Sequence, residues 1–331
     1  MARTIFRVGG GTGFLAGRFQ RGRRGDGAGS IRQIVSDGDT VSLSSDGTFP
    51  VRFLGIDTAE TRIPAPDTGA FTSVDAAVFR TLLADPMGAA TGPMTGLTDG
   101  LIRRLGTAAG TDAAATHLFH AKAAEDALEA MIAKDFAAPG VDSFFLAFAF
   151  EALDGFGRLL AYVHPSEPDT PSDARRRPYN ERMLALGQAY PYFIFPNVDP
   201  FRSRGSPVEA AALARSPEAI LAASARLRRV RDEVARARAE GQGVWSRDRP
   251  NPYEPFELRY VARRAAPTRW VLDLSRPEAV VRPPAAYVEI PNAEDRLWIP
   301  EAYVPLLEAT GWRVARPATW MLGTLPADGR A

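Results

Sequence analysis

Cysteine is absent from this chain, which excludes a disulfide framework and any thiolate-ligated metal. Histidine occurs only at His117, His120 and His164. That is too few for a multi-histidine zinc site, so any metal is expected to be a hard cation on oxygen ligands. Lysine is nearly missing too: apart from Lys122 and Lys134, every basic side chain is arginine. No apolar run is long enough to span a membrane. The stretch from Met1 to Phe19 lacks the continuous hydrophobic segment of a secretory signal, so a cytoplasmic location is expected. The formal net charge is only +1, so recognition of a polyanion must come from particular arginines rather than from overall charge.

What is present is concentrated in two places. The first is Val35-Ser36-Asp37-Gly38-Asp39-Thr40 followed by Val51-Arg52-Phe53-Leu54-Gly55-Ile56-Asp57-Thr58-Ala59-Glu60. This gathers carboxylates and an arginine within a hairpin's length of chain. The second is Asp154-Gly155-Phe156-Gly157-Arg158, a tight turn ending in another arginine. An oxygen-ligated dication needs such carboxylates, and phosphoryl transfer needs that cation with a positive clamp beside it. Arg52 and Asp57 lie an odd number of residues apart, so an ideal strand aims them at opposite faces. Gly55 between them can host the bend that re-aims the carboxylate.

The length suits one large domain with additions, or two domains. Residues 1–29 read as a flexible, basic Gly/Arg-rich arm, and 250–331, after a proline-marked boundary, as a small C-terminal α+β extension. Between them, Ile31–Val35, Val41–Leu43 and Val51–Leu54 read as β-structure. The Ala/Gly/Thr/Pro-rich stretch 63–116 reads as an insertion with short helices near Val74–Leu83 and Leu101–Leu105. A helix is predicted over His117–Phe136, a hairpin over Phe144–Val163, a short helix over Asn180–Ala189 and a long one over Pro217–Ala239. In the extension, strands are predicted at Leu258–Val261, Trp270–Leu274, Ala286–Ile290 and Trp312–Ala315, with a helix at Glu301–Ala309. The arginines between Arg226 and Arg238 invite a nucleic-acid reading, although solvated helix faces opposite an apolar stripe commonly look like this.

Taken in order, these pieces resemble the staphylococcal nuclease (thermonuclease) family. The likeness rests on Asp37-Gly38-Asp39-Thr40, Arg52 with Gly55–Glu60, Asp154–Val163, Asn180–Ala189 and Gly243-Val244-Trp245-Ser246, spread over roughly residues 31–247. The resemblance implies an α+β fold with a mainly β core: a five-stranded OB-fold barrel with packed helices, here spanning 30–249 with the 63–116 insertion. It implies calcium-dependent cleavage of DNA and RNA to 3′-phosphate products. Asp39, Asp57 and the Thr58 carbonyl would ligate Ca2+, and Glu60 would position or deprotonate the attacking water. Arg52 and Arg158 would grip the phosphate. Asp37, Thr40 and Asp154 would support these groups from behind, and Phe156, Tyr190 and Tyr192 would contact substrate. The chain departs from the family in Ala59, where the family has proline, in Phe156, where it has tyrosine, and in Gly155, where it has a more basic residue.

The expectation is a nuclease acting on single-stranded or loosely paired DNA or RNA, without a membrane partner. The competing expectation is a catalytically silent nucleic-acid or protein binding module of the same fold. A third is a barrel whose site the insertion covers.

Overall fold

The computed structural model describes residues 5–8, 14–22, 30–44, 48–88, 91–154, 158–166 and 177–316. Strands β1 (Ile5–Val8) and β2 (Phe14–Arg21) pair antiparallel. Ile31–Ile34, expected as β-structure, is instead helix α1, because Ser30 and Gln33 form a reciprocal cap that starts it, and it leads into β3 (Val35–Asp37). The predicted hairpin follows as β4 (Thr40–Ser44) and β5 (Thr48–Phe53). The chain then bends at Gly55, whose φ of +78° a side chain rarely adopts, and enters β6 (Gly55–Asp57). The insertion contributes a small hairpin, β7 (Arg62–Pro64) and β8 (Phe71–Ser73), then α2 (Ala77–Ala84) and α3 (Asp99–Ala108), and the long α4 (Ala113–Phe136) follows it. Strands β9 (Phe144–Leu153) and β10 (Leu159–His164) complete the first half.

Strands β2, β9, β10, β5 and β4 are hydrogen-bonded in that order, and β4 returns to β2 through Gln20↔Ser44 and Arg21↔Leu43. The result is a closed five-stranded mixed barrel consistent with an OB-fold. Its neighbours are antiparallel except β5 and β10, which run parallel. The continuous apolar run of β9 follows from burial on both faces. Phe144, Leu146 and Phe148 belong to the main core, while Phe145 and Ala147 pack outside it with Leu54, Leu160 and Tyr162. The flexible arm expected over 1–29 is corrected in part: Phe14–Arg21 is a barrel strand, because Phe19 is buried and β2 supplies the pairing that closes the cylinder. Arg23 and Arg24 lie outside the described residues.

Beyond the barrel come α5 (Tyr179–Ala185), β11 (Tyr190–Ile194), α6 (Pro207–Leu213), α7 (Pro217–Ala222) and α8 (Ala225–Glu240). The single helix predicted over Pro217–Ala239 is thus two, because Ser224 leaves helical geometry and caps α8 through the Leu227 N–H. The C-terminal segment adds α9 (Pro255–Ala262), β12 (Trp270–Asp273), β13 (Val280–Val281), β14 (Arg296–Ile299), α10 (Val304–Ala309) and β15 (Arg313–Val314). Two predicted strands are corrected here. Leu258–Val261 lies in α9, and Ala286–Ile290 is largely a 3₁₀ helix over Pro284–Glu289. Proline in the first turn of each favours helical entry over strand pairing.

A second sheet, in the order β12-β14-β11-β6, ties the C-terminal segment to the strand that carries Asp57. Burial confirms the union. Val74, Phe79, Leu82, Leu101 and Leu105 of the insertion share one core with Tyr253, Leu258, Tyr260, Val261 and Trp298 of the C-terminal segment. Among the described residues, no helix is long and apolar enough to cross a membrane.

Candidate functional site

The Asp37-Gly38-Asp39 turn joins β3 to β4 and lies directly under α4. A β-carbon at Gly38 would stand 2.4 Å from that of Ala124, so only glycine lets the helix settle on the turn. The Asp39 N–H donates to Asp37 Oδ1 at 3.2 Å. Asp39 is itself buried; its Oδ1 accepts from Thr40 Oγ1 at 3.0 Å and its Oδ2 from the Thr58 N–H at 3.2 Å.

Arg52, at the end of β5, reaches across this turn. Its Nη2 lies 3.1 Å from Asp39 Oδ2 and 2.5 Å from Asp57 Oδ1. The bend at Gly55 therefore does what the sequence reading expected, putting Arg52 and Asp57 on one side despite their odd spacing. A further arginine joins them that the sequence reading did not anticipate. Arg259, from α9, donates through Nη1 and Nη2 to the two oxygens of Asp57 at 2.9 and 2.6 Å, and through Nη1 to Glu60 Oε1 at 2.6 Å. Its helix is otherwise almost wholly buried. Glu254, Pro255 and Glu257 form the capping box that starts α9, and they were the available signal that this apolar run is a helix.

The charges perturb one another as their distances require. Burial works against ionised Asp39, but Arg52 and the hydrogen bonds to its carboxylate hold it below its ordinary range. Burial and the adjacent Asp39 push Asp37 well up. Burial also pushes Glu60 up, against the pull of Arg259. Arg52 and Arg259 are stabilised as cations by the carboxylates they face, despite the cost of burial.

The backbone of Glu60 is fixed by another unanticipated residue. Its N–H donates to Nε2 of His117 on α4 at 3.0 Å, which leaves the ring proton on Nδ1. Burial, with His120 and Arg259 nearby, drives the His117 pKa down to about 3, so the ring is a neutral acceptor.

The remaining candidates are placed less centrally. Arg158 stands at the entry to β10, two residues before Leu160, which is paired with Arg52. Its Nε donates to Asp154 Oδ2 at 2.7 Å and its N–H to Asp154 Oδ1 at 3.0 Å. Phe156 lies outside the described residues. Tyr190 and Tyr192 require a correction as substrate contacts, because the structure buries both. Tyr190 packs edge-on against Trp245, while Tyr192 stacks on Phe256 and accepts from Arg269 Nη1 at 2.6 Å. Two pieces of the motif set do meet: the Val244 N–H donates to the Gly187 carbonyl at 2.8 Å, with no room for a β-carbon on Gly243. Asn180 staples α5 to the barrel beside the site, donating to the Leu54 and Ala161 carbonyls and accepting from the Val163 N–H.

The donor chemistry around Asp39 and Asp57 suits a hard dication, being all oxygen. Three carboxylates, Asp39, Asp57 and Glu60, pair with the two guanidiniums of Arg52 and Arg259, while Asp37 and Glu60 are pushed up chiefly by burial. Among the described residues, however, no three acidic or histidine side chains are disposed around one metal position. A cation here would rest on two carboxylates with backbone, water or substrate oxygens, a pattern hard dications accept, and both Arg52, which lies against Asp39 and Asp57, and Arg259 would have to give way. No protein-family model matches the chain, and no curated protein matches it.

Proposed function

We propose that this chain is a phosphodiesterase of the thermonuclease type, hydrolysing DNA or RNA at the Asp39–Arg52–Asp57–Glu60 cluster with calcium as its metal. The observation that carries the reading is the convergence of these four side chains, from a turn and a bent strand, in the order the resemblance requires and beside the Arg158 turn. Glu60, held by His117 through its backbone and by Arg259 through its carboxylate, is positioned to accept a proton from water. Its raised proton affinity brings it nearer the working range of a general base. Arg52 and Arg158 provide fixed positive charge against the phosphoryl oxygens as negative charge builds on them. A dication held by Asp39, Asp57 and the Thr58 carbonyl would supply Lewis-acid polarisation of the phosphate.

A second reading, a silent binding module, is favoured by one feature: Asp57 is chelated by Arg259 from a helix anchored in the second core. Cleavage of labelled single-stranded DNA and RNA, with calcium, magnesium or chelator, separates the two. Calcium-dependent cutting to 3′-phosphate ends, reduced about 10²–10³-fold or more in Glu60→Ala and Arg158→Ala, is the expected result. Binding without cutting under every metal would favour the silent module. Calorimetry adds a readout independent of turnover, in which Arg259→Gln should bind calcium more tightly than wild type because Asp57 is then held by Arg52 alone.

A further inference from the structure

The arginine-dense helix α8, the obvious place to look for a polyanion surface, is largely occupied with the protein itself. Arg226 and Arg229 pair with Glu181, Arg231 with Asp295 and Arg238 with Glu294. A different group of arginines lies next to the carboxylate cluster, and only its first member, Arg259, is balanced in this way. Arg263 sits one helical turn beyond Arg259 on α9, so the two share a face. Arg263 is exposed, and among the described residues its side chain has no hydrogen-bond or ion-pair partner. Arg269, in the connection from α9 to β12, donates to the Tyr192 hydroxyl at 2.6 Å, with its guanidinium 5.4 Å from the centre of that ring.

Tyr192 ties Arg269 to the same wall, because its ring stacks on Phe256 of α9, the helix that carries Arg259. Partial burial, then the nearby Arg259 and Arg269, lower the proton affinity of Arg263. Carboxylates lie against Arg259 alone, on its Asp57 and Glu60 side. The far side of the group is thus a short run of guanidinium charge without counter-charge, continuous through Arg259 with the proposed catalytic cluster.

We propose that Arg263 and Arg269, extending from the carboxylate-bound Arg259, form a phosphate track that carries the backbone of a single-stranded nucleic acid away from the carboxylate cluster. The inference rests on the phosphodiesterase reading for the identity of its ligand. Guanidiniums match phosphate oxygens in geometry as well as charge. With Tyr192 buried, the track has no aromatic face to offer a base, so recognition is by backbone charge, independent of sequence and sensitive to salt. It also gives the C-terminal segment a role, as one wall of the substrate path.

The test is fluorescence anisotropy with a fluorescein-labelled oligothymidylate, in a Glu60→Gln background with chelator so that nothing is cut. Arg263 is exposed, so Arg263→Gln and Arg263→Lys should fold as the parent does, which thermal melting checks. Across about 50 to about 200 mM salt, Arg263→Gln should weaken binding and flatten the slope of log K against log salt by about 0.7, one single-strand phosphate contact. Arg263→Lys should recover most of both, and Arg263→Glu should weaken binding further. Affinity and slope unchanged in Arg263→Gln and Arg263→Glu would overturn the track. Binding that depends on Arg263 in a wild-type chain that never cleaves would leave the track standing and sink the phosphodiesterase reading. Cleavage whose KM ignores Arg263 would do the reverse, and no binding by the parent chain would end the track.

Discussion

His117 shows how one buried side chain joins α4 to the site. Its Nε2 accepts from the Glu60 N–H, and burial keeps the ring neutral with a pKa near 3 in place of the usual 6.5. The pH dependence follows from that depression. Above 6.5 neither state is protonated and the ring contributes nothing. Between 6.5 and 3 the unfolded chain takes up a proton that the folded ring refuses, so stability falls as pH falls. Comparing urea unfolding of wild type and His117→Gln at about pH 7 and about pH 5, wild type should lose about 2 kcal/mol relative to the variant. Equal losses would mean that the folded ring is charged. Asp37, Asp39, Arg52, Asp57 and Glu60 could be read as one site because they lie within a single hairpin and its continuation, where local spacing carries the information. His117 and Arg259 carried no such signal: each is a lone polar residue, and its partner is distant in the chain.

At the scale of elements, α9 is decisive, since it carries Arg259 and Arg263. It is anchored by a buried charge. Glu257 accepts from Arg104 Nε at 2.9 Å and Nη2 at 2.6 Å, from the Tyr287 hydroxyl at 2.6 Å and from the Glu254 N–H at 2.9 Å. Arg104 belongs to α3, so this ion pair clasps the insertion to the C-terminal segment. Arg104→Ala strands the Glu257 carboxylate in the core and should cost about 3 kcal/mol, measured by chemical denaturation, with faster hydrogen exchange in α9. A loss within about 0.5 kcal/mol would show the clasp to be incidental. The strand expected over Leu258–Val261 failed for a related reason. Its β-branched and aromatic residues favour strands in general, but the Glu254–Pro255–Glu257 start and burial in the second core select a helix. Elsewhere strong periodicity sufficed: the helix expected over His117–Phe136 and the hairpin over Phe144–Val163 are present.

For the molecule as a whole, the insertion and the C-terminal segment are parts of the structure that holds the site. Removing residues 250–331 would strip β14 from β11, expose Tyr192 and Ile194, and leave the insertion without the other half of its core. It would also uncover the main core where Leu272, Leu297, Leu307 and Trp312 now cover it. A chain ending at 249 is therefore expected to lose its near-ultraviolet circular dichroism and cooperative unfolding, whereas a separable appendage would leave both intact. By itself, the sequence determined the barrel's hairpins, the long helix over His117–Phe136, the Asp37–Glu60 constellation and the bend at Gly55. Each depends on alternation, helical period or turn chemistry over a few neighbouring residues. Only the tertiary structure decided that β2 closes the barrel, that Tyr190 and Tyr192 are core residues, and that Arg259 faces Asp57. Those outcomes depend on pairings across long stretches of chain, where burial and charge neutralisation choose the partner and local pattern carries no record of the choice.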